Sequence, residues 1–278
     1  MDKTLINQHN KHTMNEIPVE FLRSPLSKEE LSAEDESTLV DAAGNKFTKD
    51  EQYGFWNFLP ERSPLYSDQE WSSFQQLIDN FVISYNQNPT QNVSYDDRPE
   101  VLKFGEFCKF YGDVLDIGCG PHPIPAYIKF RKNEDAVYYG IDVLVGEQPK
   151  DMHFIQAMGE HLPLADESFD VSISGTSILH YINPQAGIEE ALRVTKSSGY
   201  LCIWLGVKSE DAPVPAESPE WYKNLDTPDG AENPFHYKRY STEVFEAFIS
   251  GANGVIDEKE VHEYDEWRQN VFYRIKKA

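Results

Sequence analysis

Between residues 113 and 205 the chain alternates short apolar runs with longer amphipathic ones. The runs at 113–117, 137–143, 153–157, 169–174 and 199–205 are rich in β-branched and aromatic residues. They have the length and character of strands buried on both faces. Between them, 126–131 and 186–195 carry apolar residues at helical spacing. Such alternation predicts an α/β fold, a mostly parallel sheet with helices on both faces. A helix at 242–250 follows, then two more runs at 255–264 and 271–275 with no full helix between them. Those two bring the expected strands to seven and predict an antiparallel last strand at the edge of the sheet.

The N-terminal part has a different rhythm. Trp71, Phe74, Leu77, Ile78, Phe81, Val82 and Tyr85 recur every three or four residues and predict one helix, which Asn88-Pro89 ends. A second helical stretch at 100–111 carries Val101, Phe104, Phe107 and Phe110. Both are read as packing against the core and, together, as a helical cap or linker over 63–111. Upstream, Leu39-Val40, Ala-Gly-Asn at 43–45 and Lys46-Phe47 form a strand, a tight turn and a strand. The expected organisation is a disordered tail at 1–16, a small β-rich unit at 17–62, the cap, and a main domain at 112–278 with a loop insertion at 208–238. That insertion holds five prolines (213, 215, 219, 228 and 234) and several aromatics. A loop so long is usually functional or disordered.

Composition narrows the function. A chain of 278 residues accommodates one α/β domain and a smaller appendage. The 40% hydrophobic and 26% charged content is that of a globular protein. No apolar run reaches the ~18 residues of a membrane span, and the polar first fifteen residues offer no signal-peptide core, so the cytoplasm is expected. The formal net charge of −22, with no Lys/Arg cluster, disfavours nucleic acid and anionic lipid as partners and leaves small molecules. Cys108, Cys119 and Cys202 are odd in number and widely spaced, so they are expected as free thiols with no metal site.

Candidate chemistry begins where the first strand of the alternating region ends in Leu-Asp-Ile-Gly-Cys-Gly at 115–120. Glycines at such a turn let the backbone approach a ligand beyond the carboxyl ends of the strands. The turn alone would equally suit a nicotinamide dinucleotide, but Asp116 disfavours a pyrophosphate and no third glycine follows. Asp142 ends the next strand, where an acid can accept hydrogen bonds from a ribose diol. Met-Gly-Glu-His-Leu-Pro-Leu at 158–164 then precedes Asp-Glu-Ser-Phe-Asp at 166–170, followed by Leu-His-Tyr at 179–181 and Ser-Gly-Tyr-Leu at 198–201. With these motifs in order, residues 100–278 resemble class I S-adenosylmethionine (SAM) dependent methyltransferases. The resemblance implies a Rossmann-like fold and SAM as cofactor, with S-adenosylhomocysteine as product. It implies that Asp116, Gly118, Cys119 and Gly120 line the methionine moiety and Asp142 the ribose. Gly159 and Glu160 would meet the adenine, and the Ser174 carbonyl the amino group. Two positions depart from the family. His122 stands where a third glycine is usual, either narrowing the pocket or putting an imidazole near the methionine carboxylate. Met158 replaces an adenine-binding Asp and leaves apolar contact.

Methyl transfer chiefly needs proximity and orientation, and a hydroxyl acceptor gains from a nearby base. His180, just past the fourth strand, is the first candidate base and His236 the second. Tyr181, Trp221, Tyr222 and Tyr237 are candidates to shape the acceptor pocket. The loop insertion and the helix around 71–85 are expected to form a lid over it. The reaction so read is methylation of a small molecule, with O-methylation favoured over N or C. A methyltransferase-like binding or scaffolding subunit without catalysis is the alternative, and a homodimer stays open. Finally, the segment 17–60 is similar to a zinc-ribbon-like domain that partners methyltransferases. Its two cysteine positions are here Ser24 and Ser27, so the metal would be lost and packing alone would hold the unit.

Overall fold

The computed structural model describes residues 17–87, 98–147, 150–209, 211–212 and 218–278; the 1–16 tail, Asn88-Pro89 and part of the proline-rich loop lie outside them. The strands are β1 (Ser32–Ala33), β2 (Thr38–Val40), β3 (Lys46–Lys49), β4 (Trp56–Asn57), β5 (Asp113–Ile117), β6 (Val137–Asp142), β7 (His153–Gln156), β8 (Phe169–Gly175), β9 (Thr195–Lys208), β10 (Gly254–Asp265) and β11 (Arg268–Lys277). The helices are α1 (Asp68–Gln87), α2 (Pro99–Cys108), α3 (Ala126–Lys129), α4 (Pro184–Val194), α5 (Glu220–Lys223) and α6 (Thr242–Gly251). All the strands lie in one sheet, ordered β1-β2-β3-β4-β7-β6-β5-β8-β9-β11-β10.

The expected seven strands are the part from β7 to β10, and β5 to β9 pair in parallel as the alternation required. Two expectations are corrected. First, the sheet has eleven strands. Those of the N-terminal unit continue it, because β4 adds in parallel to the exposed edge of β7 through Trp56↔Ile155 and Asn57↔Gln156. An open edge is thereby paired, which removes a site for aggregation. Second, the last strand, β11, is antiparallel but internal. It lies between β9 and β10, and β10 is the edge. The reason is apolar content: Val271, Phe272, Tyr273 and Ile275 are all buried, whereas β10 alternates half-buried and exposed positions.

Helices cover both faces. One core layer joins Ile188 of α4 and Phe245 and Ile249 of α6 to Leu115, Ile117 and Ile203 of the sheet. The other joins Val101, Phe104 and Phe107 of α2 and Tyr127 of α3 to Val171, Trp204 and Phe272. So α2 packs within a core layer, the packing half of its expected role. Trp71 and Phe74 of α1, with Tyr66 just before the helix, pack against Met158 at the carboxyl ends of the strands. Val82, expected on its apolar stripe, is exposed.

The N-terminal unit shares the first core layer through Leu22, Leu39, Phe47 and Phe58. Its hairpin pairs β2 with β3 antiparallel in the register Leu39↔Phe47, with Gly44 at φ +85° in the turn. The buried Asp41 carboxylate collects the turn, accepting from the amides of Ala43 and Asn45 at 3.0 and 2.9 Å and from the Ser24 hydroxyl at 3.0 Å. Lys28 pins the unit to the main domain by an ion pair to Glu190 at 2.5 Å, and Glu190 also holds Arg193 at 2.8 Å.

Candidate active site

The sharp turn after β5 is stabilised by two amides, Gly118 and Cys119, that donate to the Ile141 carbonyl of β6 at 2.7 and 3.1 Å. Gly118 has φ +84°, and a Cβ there would lie 2.2 Å from the Cβ of Ser177. Only glycine fits both the torsion and the space. Beneath the turn, Asp116 is completely buried. The Tyr127 hydroxyl donates to its Oδ2 at 2.7 Å, while its Oδ1 has no partner among the described residues. Burial pushes the Asp116 carboxyl up to about 7, against the lowering effect of the Tyr127 hydrogen bond. Asp142, at the end of β6, accepts from the amides of Gly120 and Leu144, both at 2.7 Å, and so ties the glycine turn to the next strand. Burial raises its carboxyl as well.

The ammonium of Lys150, buried although charged, donates to the carbonyls of Gly120 and His122, the latter at 2.9 Å. It also lies 4.7 Å from the Phe154 ring centroid. One cation thus holds the carbonyl side of the turn and offsets the two carboxylates nearby.

The opposite wall comes from the segment after β7. Met158 and Gly159 face the cleft, and a Cβ at Gly159 would strike the Tyr181 hydroxyl at 2.0 Å. Tyr181 is seated between Gly159 and Gly187, where its ring would meet a Cβ at 2.4 Å. Glu160 is buried; it accepts from the Asn183 amide at 2.7 Å and from Tyr66. Desolvation pushes its carboxyl up to about 7.

Above these walls α1 supplies Phe74, Phe81 and Tyr85, and the cleft between encloses about 790 Å³, open mouth included. The proline-rich loop holds α1 in place from outside. Ser73 donates to the Asp229 carbonyl at 2.7 Å, and Asn80 donates to those of Asp226 and Pro234 at 3.0 and 2.9 Å. Asn80→Ala leaves two carbonyls without a donor, at a cost of about 2 kcal/mol. It is expected to lower Tm by about 4–8 °C and to expose the 218–238 loop to protease. Unchanged cleavage would show that the loop is fastened elsewhere.

Several sequence-selected residues converge on this cleft: Gly118, Asp142, Met158, Gly159, Glu160, His180 and Tyr181. His180 Nδ1 donates to the Phe235 carbonyl at 2.6 Å, and its ring meets Phe81 edge-on at 4.6 Å. That bond leaves Nε2 as the acceptor nitrogen, and burial lowers the imidazole to about 4, so it is neutral at physiological pH.

Others sit elsewhere. The Cys119 thiol points into the second core layer, near Met152 and Gly140. The Ser174 hydroxyl donates to Ser177 at 2.8 Å, Ser177 to the Ile117 carbonyl at 2.7 Å, and Gly175 takes the place at the cleft wall. The His122 ring packs against Tyr85 at 5.6 Å, off the cleft wall. His236 is held by Asn233 Oδ1 at 3.0 Å and lies behind His180, with ring centroids 5.1 Å apart. Trp221 and Tyr222 of α5 pack on Phe235, which in turn meets Phe81 of the roof, and Tyr237 lies near Gly230. Sequence reasoning missed Lys150, Tyr127 and Ser177. A Lys thirty residues from the turn it holds carries no local signal. Thr176, a β-branched residue at φ +65° beside the cleft, was also unmarked; such torsions concentrate at functional sites.

Residues 115–203 match the family model of the methyltransferase domain. A demethylmenaquinone methyltransferase of Paenarthrobacter aurescens is 42% identical over 124 residues, spanning 39% of this chain and 49% of that protein. An uncharacterized methyltransferase of Mycobacterium sp. (strain KMS) is 33% identical over 107 residues, 34% of this chain and 40% of the relative. The chain therefore spans about half or less of these relatives' length. Among solved structures, the Burkholderia thailandensis 1,6-didemethyltoxoflavin-N1-methyltransferase, bound to 1,6-didemethyltoxoflavin and S-adenosylhomocysteine, superposes with TM-score 0.55 at 11% identity, over 89% of this chain and 99% of that one. The cyclase SpnF superposes with TM-score 0.50 at 17% identity, over 76% and 97%. These likenesses establish a shared fold, and their different reactions show that the fold alone does not select the chemistry.

Proposed function

We propose that this protein is a SAM-dependent methyltransferase of a small molecule, with a hydroxyl as the favoured acceptor. The observation that carries the reading is the buried, unpartnered Oδ1 of Asp116 beneath the Gly118 turn. A desolvated carboxyl oxygen with no donor is costly, and an ammonium-bearing ligand relieves that cost. The rest of the site fits the same cofactor. Gly118 admits a ligand against the backbone, Asp142 suits a diol, and Met158 with Gly159 offers a flat apolar surface for a base. The match at 115–203 and the names of the relatives support the same reading.

When bound, SAM supplies a methyl group on a sulfonium, already activated for displacement. The protein's part is to bind, orient and exclude water. Asp116 and Asp142 hold the polar groups of the cofactor, and α1 closes over the cleft. His180 Nε2 accepts the proton of the acceptor hydroxyl. His236, which lies off the cleft wall, keeps its place behind His180 as a support and not as the base. His180→Gln is expected to lower kcat by about 10²–10⁴-fold while leaving SAM affinity within twofold. An unchanged kcat would remove the base from the mechanism. The decisive experiment for the function is transfer of a labelled methyl group from SAM to candidate acceptors, preceded by calorimetric titration with S-adenosylhomocysteine. Failure of both ligands to bind would defeat the reading.

The setting belongs to the same proposal. Three buried free cysteines accord with a reducing, cytoplasmic compartment. Among the described residues no helix is long and apolar enough to cross a membrane. The N-terminal unit is read as a methyltransferase partner module fused in cis, its metal replaced by the Ser24–Asp41 hydrogen bond and by packing.

A further inference from the structure

The acceptor half of the cleft has a distinctive chemistry. Phe74, Phe81 and Tyr85 of α1 form its roof, with Tyr181 opposite. Of the residues lining the cleft, the only acids are Asp142 and Glu160, and no lysine or arginine lines it among the described residues. One polar group lining it is the imidazole of His180, whose Nδ1 is committed to the Phe235 carbonyl; Thr176, Ser177 and Tyr181 add hydroxyls to the same cleft. A ring so fixed accepts a hydrogen bond at Nε2 and donates none. An anionic ligand would meet no counter-charge among the lining residues. An aliphatic ligand would forgo the edge and face contacts that four aromatic rings provide.

We propose that this half of the cleft takes an uncharged, flat aromatic molecule bearing a phenol-type hydroxyl that donates to Nε2 of His180. The inference rests on the methyltransferase reading for the meaning of the word acceptor, but the binding it describes belongs to the chain's own residues and is measurable without turnover. His180 then selects ligands with a donor over those without, and the aromatic roof selects planar rings over saturated ones. The fastening of α1 through Asn80 holds that roof over the cleft.

The test is calorimetric binding of four probes to the full chain at about pH 7.5, with and without saturating S-adenosylhomocysteine: 2-naphthol, 2-naphthoate, 2-decalol and 2-methoxynaphthalene. Naphthol is expected to bind best. Naphthoate should be about tenfold weaker or worse from desolvation in a cleft with no lining cation, and decalol about tenfold weaker from lost aromatic contact. Methoxynaphthalene, which has no donor, should be about tenfold weaker, and that gap should close in His180→Phe. Naphthoate or decalol binding as tightly as naphthol overturns the proposal, as does no binding by any probe. A donor preference that survives in His180→Phe overturns the role of His180. Naphthol binding in the absence of any S-adenosylhomocysteine binding would uphold this inference and defeat the cofactor reading, so the two fail separately.

Discussion

Asp116→Asn is expected to weaken SAM binding by about 30- to 100-fold, or roughly 2–3 kcal/mol, the worth of a charge-assisted hydrogen bond made in a buried site. Asparagine keeps an oxygen for the Tyr127 hydroxyl, which now donates to Oδ2 at 2.7 Å, so the fold is retained and the change isolates the charge. The same carboxyl sets a pH dependence. Its folded-state value of about 7 lies above the ordinary carboxylate range because burial penalises the charge. A raised acid contributes stability that is complete below the unfolded value, near 4, and is lost as pH rises through 7. Glu160, raised to about 7 by the same cause, adds in the same direction. The ligand-free protein is therefore expected to lose thermal stability from pH 5 to pH 8. An ammonium beside Asp116 favours the carboxylate and reverses the trend for binding. Affinity should rise about tenfold from pH 6 to pH 8, with proton release below pH 7. Calorimetry in buffers of different ionisation enthalpy reads the released proton. A flat profile in the wild type, or an unchanged slope in Asp116→Asn, would detach the cofactor from this carboxyl.

Lys150→Met carries the largest expected effect on stability. Methionine preserves most of the stem over Phe154 but leaves the Gly120 and His122 carbonyls without their donor and the carboxyls of Asp116 and Asp142 without their nearest cation. Breaking one side of a buried charged arrangement costs about 3–5 kcal/mol. Tm should fall by about 6–15 °C, and SAM affinity should fall with it because the glycine turn loses its outer tie. Differential scanning calorimetry checks the first and titration the second. A Tm within a degree or two of the wild type would mean that the turn is held by its amides alone.

The legible and illegible parts of this protein divide by the range of the forces involved. The strands β5 to β9, the helix α4 and the glycine turn were readable because periodicity, capping and turn torsions act over a few neighbouring residues. The run 113–117 coincides with β5, and Gly118 needs its positive φ whatever surrounds it. The parallel pairing of β4 on β7 was hidden, since two residues have no period and their partner lies about a hundred positions away. The same holds for α2, whose apolar pattern suits a cap and a layer helix equally. Its place was settled by Tyr127, Trp204 and Phe272, which surround Phe104.

The site divides in the same way. Local order placed Gly118, Asp142, Gly159 and His180 around one cleft, with Asp116 buried beneath its glycine turn, because motifs at the carboxyl ends of adjacent parallel strands must meet there. Cys119, in the same motif, turns its thiol into the second core layer beside Met152. The chain's own order of residues was enough for the class of fold, the hairpin at 38–49 and the glycine turn after β5. Long-range packing settled which groups are dry, which are paired and which are left waiting. The unpartnered Asp116 oxygen, the buried ammonium of Lys150 and the roof of α1 pinned by Asn80 each depend on residues distant in sequence, and desolvation exists only once those residues have closed around them.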